Sequence, residues 1–137
     1  MQDKLLFFGF KHWTTTMINT SHDLALVFFQ ALNTRDFDSA KKFLHEDVAL
    51  DFPGSGRMEG IRRVIIFIKA LLRKYPVLIF NIREVIVEGD RICAIWTNTG
   101  ENLAGDDYEN SGITLFHLEN QQIIFISDYF KDTSFTT

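Results

Sequence analysis

The sequence predicts an α+β fold with its helices first and its sheet after, and three observations carry the prediction. Apolar residues recur at helical spacing in the first half, at Leu24, Val27, Phe28 and Leu32 and again at Ile61, Ile65, Ile68, Leu71 and Leu72. Beyond Pro76 the pattern changes to extended apolar runs, roughly 77–88, 91–99, 108–118 and 122–131. Turn signals at Gly89-Asp90 and Asn120-Gln121 separate successive runs, so those neighbours pair antiparallel. Helices followed by a meander define the class.

Residues 1–16, MQDKLLFFGFKHWTTT, read as an extension outside the fold. Their apolar stretch LLFFGF is too short for a secretion signal and no small-residue cleavage site follows it. A single domain is expected over 17–137. Thr20 or Ser21 caps the first helix. A second, short helix is expected from Asp36 to His45, with Phe37, Ala40, Phe43 and Leu44 on one side. Its acidic start and later lysines suit the helix dipole. VALDFPGSGRMEG then gives a brief strand and a Pro-Gly-Ser-Gly turn. The third helix runs from Ile61 to Tyr75 and stops at Pro76, which can neither donate to a helix nor follow a helical residue comfortably. In the second long strand Ile92, Ala94 and Trp96 lie on one face and Cys93 and Ile95 on the other. So few helices cover only one face, and the other is expected to pack on a second subunit in a homodimer.

Composition narrows the function. At 137 residues the chain is long enough to bury a core, and 46% hydrophobic with 23% charged residues is globular. Fourteen phenylalanines in so short a chain make a ring-lined interior, either solid core or the wall of a space for an apolar guest. A net charge of −4 with scattered basic residues argues against nucleic acid. Unbroken apolar runs such as Val64 to Ile68 are too short to span a bilayer. Cys93 stands alone, which leaves no disulfide framework and points to a reducing, cytoplasmic interior. The four histidines show no metal-ligand spacing: His22 and His45 read as surface residues, His12 lies in the extension, and His117 points away from Thr114. PGSG lacks the Lys-Ser/Thr of a phosphate loop. Neither metal nor cofactor is expected.

One residue breaks the pattern. In IIFISDYFKD, residues 123–132, Asp128 interrupts a buried-looking strand. Strict alternation puts Ile124, Ile126, Asp128 and Phe130 on one face and Ile123, Phe125, Ser127 and Tyr129 on the other. Either the carboxylate faces something that needs it, or the strand ends there.

Three segments, ALNTRDFDSAKKFLHEDVALDFP, PGSGRMEGIRRVIIFI and the closing QQIIFISDYFKD, taken in this order, resemble the SnoaL-like branch of the nuclear-transport-factor-2-like (NTF2-like) superfamily. The resemblance covers roughly residues 18–135. It implies a conical barrel in which a strongly curved, mostly antiparallel sheet wraps three N-terminal helices and leaves a pocket at its open end. Such proteins include polyketide cyclases, ketosteroid isomerases, limonene-epoxide hydrolases, dehydratases and proteins without activity, so the fold alone does not give a function.

Carried over residue by residue, the resemblance is selective. The general base of the ketosteroid isomerases falls at Phe52, their oxyanion tyrosine at Phe28 and their protonated aspartate near Thr114; all three are replaced. The Arg and Asp pair of the epoxide hydrolases falls near Trp96 and Asn98, and their later aspartate falls on Asp128. The resemblance therefore implies Asp128 as an acid-base group in the pocket and Asn98 as the amide that orients water or a carbonyl beside it. Phe28, Phe52, Trp96, Thr114 and Phe130 are the expected walls. Asp51, next to Phe52, points away from them by alternation. An enclosed carboxylate has a raised pKa suited to enolisation, ring closure or water activation. A ligand-binding or dimerisation module without chemistry is the alternative, because only one acid survives from any catalytic set.

Overall fold

The computed structural model describes residues 20–133, and the reading of residues 1–16 as an extension lies outside them. Three helices, α1 (Ser21–Asn33), α2 (Phe37–Lys42) and α3 (Ile61–Lys74), accompany six strands. The strands are β1 (Leu44–Phe52), β2 (Gly56–Glu59), β3 (Ile79–Glu88), β4 (Arg91–Glu101), β5 (Asp107–Glu119) and β6 (Gln122–Phe130). They form one strongly curved sheet in the order β2-β1-β6-β5-β4-β3, antiparallel except where β1 runs parallel to β6. The helices line its concave face.

Local chemistry fixes the helix ends. The Thr20 hydroxyl accepts the Asp23 amide at 3.1 Å and so satisfies one of the free N–H groups that open α1. After α1, Asn33 clasps the edge of the sheet: its amide donates to the Phe80 carbonyl at 2.9 Å while its oxygen accepts the Phe80 N–H at 2.8 Å. Arg35 follows with a left-handed backbone, φ 60°. Its guanidinium donates to the carbonyls of Leu32, Leu78, Tyr75 and Pro76 at 2.9–3.2 Å. One cation thus fastens the C-terminal end of α1 to the turn that ends α3, where unpaired carbonyls attract it.

Four boundaries differ from the sequence reading. Helix α2 ends at Lys42 instead of His45, because the Phe43 carbonyl accepts the Ile123 N–H at 2.8 Å and draws the chain into the sheet. Leu44, expected on that helix, opens a nine-residue strand and is 2% exposed. The segment after the Pro-Gly-Ser-Gly turn is not only loop, since β2 pairs back on β1 with Leu50 opposite Met58 and Phe52 opposite Gly56. Val77 and Leu78 belong to the turn below α3, where the Leu78 N–H bonds the Tyr75 carbonyl at 3.0 Å, and β3 starts at Ile79.

Bulges bend the sheet and reset its faces. Between β5 and β6 the pairing steps from Leu118–Ile123 to His117–Phe125, so Ile124 is the extra residue. Ile123, not Ile124, therefore turns into the core, where it is fully buried. From Phe125 onward the expected alternation holds: Ile126 and Asp128 face inward, and Tyr129 faces out, 61% exposed. A second bulge in β3, at Arg83, does the same for the far edge. Asn120 and Gln121 both take left-handed backbone, φ 51° and 65°, as a two-residue hairpin requires. No helix among the described residues is long and apolar enough to cross a membrane.

Candidate active site

The site grows from three adjacent rungs of the sheet. Strand register places Ala94 beside Thr114 beside Asp128, then Trp96 beside Gly112 beside Phe130, then Asn98 beside Asn110. Across the parallel junction Leu50 and Asp51 stand opposite Ile126 and Ser127, so Phe52 follows beside Asp128. All these inward positions look toward α1 and α3. Gly112 makes the middle rung possible, because a side chain there would bring its first carbon within 2.8 Å of Phe130 Cβ.

A short hydrogen-bond chain holds the acid. The Trp96 indole N–H donates to Thr114 Oγ1 at 2.9 Å, and the Thr114 hydroxyl donates to Asp128 Oδ1 at 2.6 Å. Thr114 and Trp96 are 3% exposed, and the threonine's only proton is committed to the carboxylate. Burial raises the Asp128 pKa from the usual 3.8 to about 6, against the opposing pull of the Thr114 hydroxyl. Asp128 Oδ2 has no protein donor among the described residues and is the oxygen left for a guest.

Around this carboxyl lies a two-lobed hollow. The inner lobe, about 50 Å³, is walled by Phe28, Phe29, Leu32, Leu50, Phe67, Ile68 and Leu72 with Thr114. The outer lobe, about 40 Å³, is walled by Tyr75, Leu78, Trp96, Asn98, Tyr108, Asn110 and Phe130. Phe52, Leu71, Phe80 and Asp128 border both. A water occupies roughly 10–15 Å³ by this measure and a benzene-sized guest about 150 Å³, so each lobe holds a few waters and no ring as it stands. The Phe52 ring packs on Phe67 at 5.1 Å and on Phe130 at 5.4 Å between centroids, and Phe80 meets Trp96 edge-on at 5.2 Å. Phe67, Leu71 and Phe130 are half-buried, unlike the sealed Phe28 and Phe29.

The outer lobe is the polar one. Asn110 donates to the Tyr108 hydroxyl at 3.0 Å and to the Asp132 carbonyl at 2.8 Å, and accepts the Asp132 N–H at 3.1 Å, which straps the segment after β6 against the wall. The Tyr75 and Tyr108 rings lie 4.6 Å apart, and burial raises both phenol pKa values. Asn98 is 4% exposed, and its Oδ1 has no hydrogen-bond partner among the described residues.

Every residue singled out in the sequence thus has a defined place. Asp128, Asn98, Trp96, Phe52 and Phe130 all border the outer lobe, and Thr114 and Phe28 border the inner one. Trp96 spends its N–H on Thr114 and Thr114 its hydroxyl proton on Asp128, so both contribute to a guest only as wall. Asp51 is exposed on the opposite face from Phe52. His117 lies on the outer face against Phe125, ring centroids 5.1 Å apart, with its pKa lowered by burial and by Arg91. Sequence reasoning missed Phe67, Leu71 and Tyr75, although their i, i+4, i+8 spacing marks a second row on α3. It also missed Tyr108 and Asn110, which share the inward parity of Thr114. Among the described residues no Lys, Arg or His borders either lobe.

Comparison with known proteins places this geometry. Residues 26–126 match the model of the SnoaL-like domain. The chain belongs to the SnoaL-like family. Within the NTF2-like superfamily it is similar to a protein of unknown function from Cytophaga hutchinsonii, 29% identical over 83% of this chain and 92% of that one, TM-score 0.67. An NTF2-like protein of unknown function from Burkholderia pseudomallei shares the fold at 21% identity, with the same coverage and TM-score 0.77. So does a candidate polyketide cyclase from Pseudomonas putida, at 20% identity over 87% and 97% of the two chains, TM-score 0.74. No curated protein matches this SnoaL-like chain.

Proposed function

We propose that this SnoaL-like protein takes a small, mostly apolar molecule into the two-lobed hollow and that Asp128 exchanges a proton with it. The observation that carries the reading is an inward carboxyl on the wall of that space, raised to about 6 by burial, with one oxygen held by Thr114 and the other unengaged. Such a group is half ionised near pH 6 and serves as base and then acid in one cycle. In an enolisation Oδ2 takes the proton from the carbon beside a carbonyl, the C–H electron pair becomes a C=C bond as the C=O π pair moves onto the oxygen, and the proton returns at another atom. Isomerisation, ring closure and dehydration are variants of that exchange, and epoxide opening uses the same carboxylate to activate water. Asn98 orients the guest from the outer lobe. Structural likeness to a candidate polyketide cyclase is in keeping with a guest that carries a carbonyl group on its apolar frame. Half-buried Phe67, Leu71 and Phe130 are the side chains that yield to admit it.

A screen of ketones, lactones and epoxides with wild type and Asp128→Asn tests the chemistry. Turnover that survives the substitution removes Asp128 from the mechanism. NMR titration of the carboxyl tests its premise, with a midpoint about 6 expected.

Binding without chemistry is the second reading. It is favoured by the absence, among the described residues, of any cationic side chain around either lobe, which leaves a developing oxyanion without a strong partner there. Ligand binding with no turnover of any screened class decides for it. The outer face of the sheet carries exposed Ile86, Ile113 and Tyr129, and a homodimer through that face is part of the same proposal, checked by sedimentation.

A further inference from the structure

Asn98 poses a question that the carboxyl does not answer. A buried amide oxygen without a donor costs about 1–3 kcal/mol, and a strand position of inward parity is filled at no such cost by Leu or Val. Here the buried Oδ1 belongs to a side chain in the wall of the outer lobe and receives no hydrogen bond from any described residue, while Asn110 bonds Tyr108 and Asp132 and the Trp96 indole bonds Thr114. A donor on a molecule that enters the lobe would supply the missing bond. The Asn98–Asn110 rung lies four residues along β5 from Thr114, roughly 14 Å of strand. Phe52, Leu71 and Phe80 border the space between.

We propose that the guest carries a hydroxyl group at the end remote from Asp128, donated to Asn98 Oδ1, with its apolar body against Phe52, Leu71 and Phe80. The hydroxyl is the fitting chemistry because it both donates and accepts, so it satisfies the amide whichever way round that group sits. A cation finds no carboxylate beside Asn98 among the residues of its rung, and a purely apolar guest leaves the amide unpaired on binding. The substrate class is therefore hydroxylated: phenols, enols or secondary alcohols on an apolar frame. This rests on the reading of the hollow as a ligand site and narrows it.

The test is a matched pair. Phenol and toluene differ by OH against CH3, and burial alone favours toluene. Both are titrated at pH 7 by NMR into wild type, Asn98→Leu and Asp128→Asn. Wild type is expected to bind phenol at least tenfold more tightly; Asn98→Leu loses or reverses that preference, and Asp128→Asn keeps it. Asn98→Val serves if the leucine variant does not fold, and the wild-type pair is decisive alone when it shows no preference. Equal or tighter toluene binding by wild type overturns the proposal. So does a phenol preference that persists in the Asn98 variants, and its loss in Asp128→Asn then shows the hydroxyl being read by the acid. Both of these outcomes leave the ligand site standing. Binding of neither compound overturns the hydroxyl and the ligand site together.

Discussion

Two neighbouring rungs of the same sheet, roughly 7 Å apart, have opposite fates. One runs through Ile92, Phe116, Ile126 and Leu50, none more than 3% exposed; its Phe116 packs against Phe28 and Phe29, whose rings meet it edge-on at 5.7 and 6.0 Å, and only its Ile126 and Leu50 end borders the inner lobe. The next runs through Ala94, Thr114 and Asp128 to Phe52. Exchanging Ile and Phe for Ala and Thr withdraws side-chain volume from the middle of the sheet, and Gly112 withdraws more one rung further on. Space follows, and the acid stands at its border. The cavity is thus made less by the rings that wall it than by the small residues between them.

The comparison breaks most visibly at Asp128. If the second rung is catalytic, Asp128→Asn lowers turnover of a screened substrate by roughly 10²–10⁴, the usual worth of a positioned acid-base group, while the fold persists. On the solid rung the same test inverts: Phe116→Ala removes a fully buried ring and costs about 3–5 kcal/mol in denaturant unfolding, with turnover per folded molecule the lesser effect. A Phe116 variant of unchanged stability would mean the first rung is not packed as described.

Stability against pH sharpens the contrast. The folded pKa of Asp128, about 6, lies above its usual 3.8, so between these values the folded chain binds more protons than the unfolded one. Its contribution therefore falls as pH rises through that window and is level above it, a loss on the order of 2–3 kcal/mol. Asp128→Asn lacks this loss. Its stability relative to wild type is expected to rise between pH 4 and 6.5, and a difference flat across that range would place the carboxyl in water.

Much of this is legible in the amino-acid sequence alone. The helical stripes, the turn dipeptides and the three closing strands follow from local pattern, since each is set by residues adjacent in sequence. The anomaly of Asp128 was legible for the same reason. What was not legible depends on distant pairing. The Ile123 N–H reaches the Phe43 carbonyl across eighty residues and ends a helix that local propensity would continue. The bulge at Ile124 moves Ile123 to the opposite face from the one strict alternation gives it. Thr114 and Trp96 carry polar groups that the sequence leaves open to a guest, and only the register across β4, β5 and β6 spends them on each other. The volume of the hollow, a difference between packed surfaces, has no local signal.

The smallest effect lies in that spent chain. Thr114→Val deletes the bond that lowers the Asp128 pKa, so the carboxyl moves above 6 and any pH–rate profile moves with it. The same change orphans the Trp96 N–H, at a cost of about 1–3 kcal/mol. Trp96→Phe is the finer probe. It leaves the Thr114 hydroxyl on the acid and removes only the donor behind it, which polarises that hydroxyl. Coupled hydrogen bonds strengthen one another by roughly 10–30%, so the Asp128 midpoint is expected to rise by only about a few tenths. The rise is read by carboxyl NMR in the two variants side by side. A midpoint that moves in Thr114→Val and stays still in Trp96→Phe confines the acid's control to its own cross-strand neighbour. Movement in both extends it across three strands, and makes the rung a single electrostatic unit in place of three separate side chains.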